Sequence, residues 1–229
     1  FQIKKSELFE DDYKDSEIIL AEKIENNQFV IVRNFSGSIS SKRGYYIEKY
    51  DNSLKKISDY EFFIEESLKE RYRRTLGVFF INSKLHIIEM FYSLDKKQYI
   101  CQATTINEGK AEKQELLAIN REDLAGFTLQ NAIKGNRDGR FYKEPYNLEN
   151  IFSGKTIKDT KDTYSQIIFC LNKSKSNFAI GITHKIKKDE VLKLYVFDSL
   201  FNKKFQKELI YDVKDIYNQN LILSESGEE

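Results

Sequence analysis

The feature that most constrains this chain is a strand–turn–strand pattern that occurs twice. From Gly44 the chain reads Gly-Tyr-Tyr-Ile-Glu-Lys-Tyr-Asp-Asn-Ser-Leu-Lys-Lys-Ile and continues polar to Phe62. From Leu192 it reads Leu-Lys-Leu-Tyr-Val-Phe-Asp-Ser-Leu-Phe-Asn-Lys-Lys-Phe before a similar exit at Leu209. Each copy has alternating apolar residues, an aromatic (Tyr50, Phe197), an aspartate (Asp51, Asp198), a short turn, a large apolar residue and two lysines. Alternation puts every second side chain on one face of a strand. An aspartate at the join can accept backbone N–H groups just ahead of it, which stabilises a turn. Both stretches therefore read as antiparallel hairpins.

Longer units surround these joins, at about 40–50 residues each, as expected of propeller blades. The units are 28–62, 77–119 and 166–212, with a fourth starting at 218. The second carries turn signals at Asn82–Lys84, Asp95–Lys97 and Asn107–Lys110, and the third opens with one at Asn172–Lys175. The expected fold is all-β and β-propeller-like. It has repeated four-stranded antiparallel blades forming a partial ring with a short helical insertion, in a single domain or the N-terminal part of one.

Two segments break the pattern. Ile64–Arg74 has apolar residues at helical spacing and Glu-to-Lys or Glu-to-Arg pairs, and reads as a short helix or loop linking two blades. The insertion at 120–155 opens with Asn120 as a helix cap, Asp123 in the first turn, and Leu124, Ala125, Thr128, Leu129, Ala132 and Ile133 on one face. A turn cluster, Gly135–Gly139, follows.

The residues that carry the blade pattern are Tyr45–Leu54, Val78–Leu85 and Leu194–Phe201, followed at a distance by Ile222–Glu228. Over about two-thirds of its length the chain resembles the secreted β-propeller-like repeat proteins of Bacteroidota-type bacteria. The resemblance implies a leader peptide lost before Phe1 and an extracytoplasmic location, periplasmic, cell-surface or secreted. It carries no catalytic residues. The chain departs from the family pattern at 120–154, where a short blade link is expected, and at its C-terminus, where further blades are expected.

Composition excludes several functions. Lysine and arginine number 37 against 36 aspartate and glutamate, so the basic excess that drives phosphate binding is missing and nucleic acid is not an expected partner. The pairs Lys55-Lys56, Lys187-Lys188 and Lys203-Lys204 read as solvated strand edges, where lysine discourages aggregation. No stretch approaches the roughly 20 apolar residues that span a bilayer. Phe1 is not a methionine and the single Met is Met90, which a removed leader or a boundary within a longer chain would each explain.

Reactive residues are sparse. Cys101 and Cys170 sit in apolar strand-like runs without metal-ligand spacing and read first as buried thiols, then as a disulfide, and last as a catalytic thiol. His86 and His184 are the two histidines, distant in sequence, and read as surface or half-buried. Glu10, Asp11, Asp12 and Asp15 lack the glycine bend of a calcium loop and read as a solvated segment. No glycine-rich phosphate loop occurs. No catalytic, cofactor-binding or metal residue is therefore assigned. Arg137, Asp138, Arg140, Phe141 and Tyr142 mix charge with aromatics in one loop and are the candidate interaction residues.

The expected function is a non-enzymatic extracytoplasmic binding or assembly scaffold, with a protein partner or further chain covering the open ends of the arc. The alternatives are a glycan-active enzyme domain, using carboxylates on one face of the ring, and a sensor domain of a larger protein. Propellers host all three.

Overall fold

The computed structural model describes residues 16–36, 43–64, 67–82, 84–107, 109–124, 127, 166–186, 189–211 and 221–225. These form twelve strands in three four-stranded antiparallel sheets. The first sheet holds β1 (Ser16–Lys23), β2 (Phe29–Ser36), β3 (Arg43–Tyr50) and β4 (Lys56–Phe63) in chain order. The second holds β5 (Glu70–Ile81), β6 (Lys84–Ser93), β7 (Gln98–Asn107) and β8 (Lys110–Asn120), again in chain order. The third holds β9 (Gln166–Leu171), β10 (Asn177–Ile186), β11 (Asp189–Asp198) and β12 (Lys203–Tyr211). Every sheet is thus a simple meander in which consecutive strands are neighbours. The strands described within 28–62, 77–119 and 166–212 belong to the first, second and third sheets respectively.

Burial in each meander follows from strand position. The inner strands β6 and β10 are covered on both faces: residues 85–91 and 177–184 are buried throughout, His86, Glu89, Asn177, Thr183 and His184 among them. The last strands β4, β8 and β12 are exposed over most of their length. Lys56, Lys203 and Lys204 lie on these edges as expected.

The two hairpins read from sequence are both present, and they match in detail. Strand β3 pairs β4 and β11 pairs β12, with a register shift at the same place: Tyr50 faces Lys56, and Phe197 faces Lys203. In each turn the fourth residue, Leu54 or Phe201, has φ of 65°, and its N–H donates to the aspartate carbonyl at 3.0 Å. A bulky side chain in the left-handed region is strained; the aspartate bonds and, at Phe201, side-chain burial offset that strain.

The described residues divide into two compact units. One comprises those within 1–66, 78–85 and 105–112; the other comprises those within 67–77, 86–104 and 113–229. In the first, Gly44 on β3 is obligatory: a Cβ there would lie 2.1 Å from the Phe62 carbonyl oxygen and 2.6 Å from the Phe35 ring. Also in that unit, the Glu22 carboxylate of β1 accepts the Phe80 N–H of β5 at 3.2 Å. In the second, Phe178 of β10 stacks on Phe197 and meets Phe169 and Phe201, with ring centroids 5.0–5.8 Å apart. Gly77 lies under the Phe169 ring, where a Cβ would approach to 2.4 Å.

Several expectations are corrected. Ile64–Arg74 is not a helical or loop link as a whole, because β5 begins at Glu70. Its helix-like charge spacing arises from Arg73, which bonds Glu70 on its own strand and Glu89 on β6. The first sheet begins with β1, before the expected start at 28. Residues 221–224 carry no strand, although a fourth unit was expected from 218. In the insertion, Arg121–Leu124 forms one 3-10 turn tied by Asn120 Nδ2 to Asp123 at 3.1 Å; the rest of its expected apolar face lies outside the described residues. His86 and His184, expected at the surface or half-buried, are both buried.

Candidate functional site

Two buried charge centres sit within the sheets. In the first, Glu48 on β3 is 3% exposed. Its Oε2 accepts Arg33 Nε of β2 at 3.2 Å, its Oε1 accepts the Tyr50 hydroxyl at 2.8 Å, and Lys56 Nζ of β4 lies 3.7 Å away. Burial, then the bond to Glu48, pushes the Tyr50 hydroxyl up to about 12. In the second, Arg73 of β5 donates to Glu89 Oε2 at 2.7 Å and to Glu70, while its guanidinium lies 4.2 Å from the Phe91 ring centroid. Burial works to lower the Arg73 pKa, but Glu89 and Glu70 outweigh it and hold the group above its usual value.

The chemistry of both centres is fixation of charge. In the first a buried carboxylate is paired with cations, in the second a guanidinium with two carboxylates, and a one-residue strand slip would leave either charge unpaired. These centres therefore lock strand register, and Glu70 and Glu89 are bound to one guanidinium rather than aimed at a shared reaction space.

The third arrangement is a turn whose N–H groups meet a carboxylate from a distant part of the chain. The turn from β9 to β10 runs Asn172-Lys173-Ser174-Lys175-Ser176-Asn177, with Lys175 at φ of 59°. Asn172 and Asn177 are 4% and 6% exposed, and Asn172 Oδ1 accepts the Asn177 N–H at 3.1 Å. That bond leaves the Lys173 and Ser174 N–H groups facing outward, and Glu225 takes them, at 3.1 Å to Oε1 and 3.2 Å to Oε2. Successive N–H groups in a turn form an anion-binding concavity. Asn172 Nδ2 also reaches Glu225 Oε2 at 3.4 Å, the Glu225 carbonyl at 3.3 Å and the Ser224 carbonyl at 3.5 Å. Asn177 Nδ2 donates to the Glu225 carbonyl at 3.1 Å. The Ser174 hydroxyl and the two turn N–H groups hold the Glu225 carboxyl below its ordinary value.

The loop residues Arg137, Asp138, Arg140, Phe141 and Tyr142 lie outside the described residues, as does the acidic run at 10–15. Cys101 and Cys170 are thiols, not a disulfide. Burial first, then the Glu89 charge, pushes the Cys101 thiol far up, which suits a packed hydrophobe rather than a nucleophile. Among the described residues no three His, Cys, Asp or Glu side chains cluster to hold a metal, and no helix is long and apolar enough to cross a membrane. Sequence reading missed the Asn172–Asn177 site. Its one sequence signal is asparagine at a turn position where Asp51 and Asp198 stand in the repeated hairpins.

The geometry defines a class: an all-β protein of consecutive four-stranded meanders. Comparison with family models and with curated proteins finds no match for the chain.

Proposed function

We propose that the three meanders are blades of a β-propeller-like arc, and that the protein is an extracytoplasmic binding or assembly scaffold related to the secreted β-propeller-like proteins of Bacteroidota-type bacteria. The observation that carries this reading is the recurrence of one sheet plan, four strands in chain order with the last strand exposed. Propeller blades are four-stranded meanders of this kind, repeated around an axis. The duplicated aspartate turn between third and fourth strands of the first and third sheets supports a common unit.

A protein partner or a further stretch of chain covers the outer strands. Ile57 and Phe63 on β4 and Ile210 on β12 are large apolar side chains on terminal strands, exposed among the described residues, and such edges recruit neighbours unless covered.

The test is native mass and cell fractionation of the endogenous protein. The expected result is an assembly heavier than the 27.0 kDa of this chain, recovered outside the cytoplasm. A 27.0 kDa monomer in the cytosolic fraction overturns the proposal.

A further inference from the structure

We infer that the Asn172–Asn177 turn is a recognition site for an acidic peptide segment, and that residues 221–225 are its resident ligand, held in cis as a displaceable strap. The site reads two chemistries at once. The N–H groups of Lys173 and Ser174 receive a carboxylate, while the amides of Asn172 and Asn177 reach backbone carbonyls at two successive residues. A free anion would satisfy the first set alone and leave the second with only the Ser176 hydroxyl, which accepts from both amides at 2.9 Å. Only a peptide carrying a carboxylate fills both.

The other end of the strap has its own seat. Leu221 is half-buried beside Gly181 of β10, its Cδ2 3.9 Å from where a Cβ on that glycine would stand. From Leu221 to Glu225 is four residues, and from Gly181 to Asn177 is four residues in the opposite direction along β10. The segment therefore crosses the face of the third sheet antiparallel to β10, with an apolar anchor at one end and a carboxylate at the other. Residues 221–224 form no strand, so the strap is held by these two ends rather than by a ladder. The asparagine bonds to Ser176 lie within the turn itself and orient both asparagine side chains from inside it. A competitor with the pattern Leu-x-x-x-Glu meets the same contacts, opposed mainly by the high effective concentration of the tethered segment.

The probe is a fluorescent synthetic peptide of residues 219–227, titrated against the full chain and its variants. Glu225→Lys empties the carboxylate nest, since a lysine there faces the turn N–H groups with the wrong charge. The peptide should bind the Glu225→Lys chain at least about tenfold more tightly than wild type. Binding should fall at least about tenfold when the peptide's own glutamate is changed to glutamine, or when Asn172→Ala is added to the chain. Inorganic phosphate should not displace the peptide. Three results overturn the proposal: no binding to the Glu225→Lys chain, equal binding of glutamate and glutamine peptides, or displacement by phosphate as effective as by unlabelled peptide. The glutamine peptide needs no protein variant, so it decides the matter even if Asn172→Ala unfolds.

Discussion

The turns after β3 and β11 and the turn after β9 solve one problem in different ways. In each, a backbone N–H two residues past the start of the turn points outward and is met by a carboxylate. In the first two the carboxylate is the turn's own: Asp51 Oδ1 accepts Ser53 and Lys55 N–H at 2.8 and 3.0 Å, and Asp198 Oδ1 accepts Leu200 and Asn202 N–H at 2.9 Å each. In the third, asparagine stands at the start, its oxygen is spent on Asn177, and the carboxylate comes from Glu225. A self-capped turn is closed to ligands. An asparagine turn is an open receptor, and one side-chain oxygen replaced by nitrogen separates the two.

The largest effect that would test the likeness of the two self-capped turns comes from their strained fourth residues. Phe201 is 8% exposed and packs against His86, with ring centroids 5.1 Å apart, and against Phe178. Leu54 has the same φ but is 39% exposed. Glycine at either position removes a left-handed penalty of about 1–2 kcal/mol. At Phe201 it also removes a buried phenyl group, whose loss costs about 3–5 kcal/mol. With the added unfolded-state entropy of glycine, Phe201→Gly should therefore destabilise by about 2–4 kcal/mol. Leu54→Gly should stabilise by about 0.5–1 kcal/mol after the added unfolded-state entropy of glycine. Urea denaturation of both variants checks this, and destabilisation by Leu54→Gly would show that backbone strain is not shared.

A smaller loss is expected from the cap itself. Asp198→Ala leaves the Leu200 and Asn202 N–H groups to solvent and should destabilise by about 1 kcal/mol. Asp51→Ala should move stability in the same direction. The same urea experiment reads both, and a neutral result at both positions would remove the aspartate from the explanation of the turn.

Sequence made these two turns legible because every group that shapes them lies within five residues. The cap, the strained residue and the paired lysines form a local pattern, and the flanking alternation supplies the strands. What escaped depended on distant partners. Strand β1 reads Ser-Glu-Ile-Ile-Leu-Ala-Glu-Lys, whose apolar run between acids has no clear period; pairing with β2, with an irregularity between Ile18 and Leu20, makes it a strand. The strand at Glu70–Arg74 looked helical because its charges sit three and four apart, yet Arg73 reaches across to Glu89 on the neighbouring strand. The Asn172 site was invisible for the same reason, since its ligand lies more than 50 residues further on.

The smallest effect sharpens the contrast between internal and external capping, and it is read by pH. Asp51 is lowered by the Ser53 hydroxyl, then by the N–H groups of Lys55 and Ser53; Glu225 is lowered chiefly by the Ser174 hydroxyl, with help from the turn N–H groups. Both folded-state values lie below the unfolded ones. Each group therefore contributes stability that is present above its unfolded pKa, about 4, and lost as pH falls through the lower folded value. Carboxyl carbon NMR should show both titrating below the ordinary carboxylate range. Asn172→Asp should separate them. It removes the amide that donates to Glu225 and puts a second carboxylate beside it, and neighbouring like charges raise a carboxyl pKa. The Glu225 titration should then move up to or past its ordinary range and the strap should loosen, while Asp51, capped by its own turn, should titrate as before. If Glu225 stays depressed in that variant, the turn N–H groups hold it without Asn172, and the site reads a carboxylate alone.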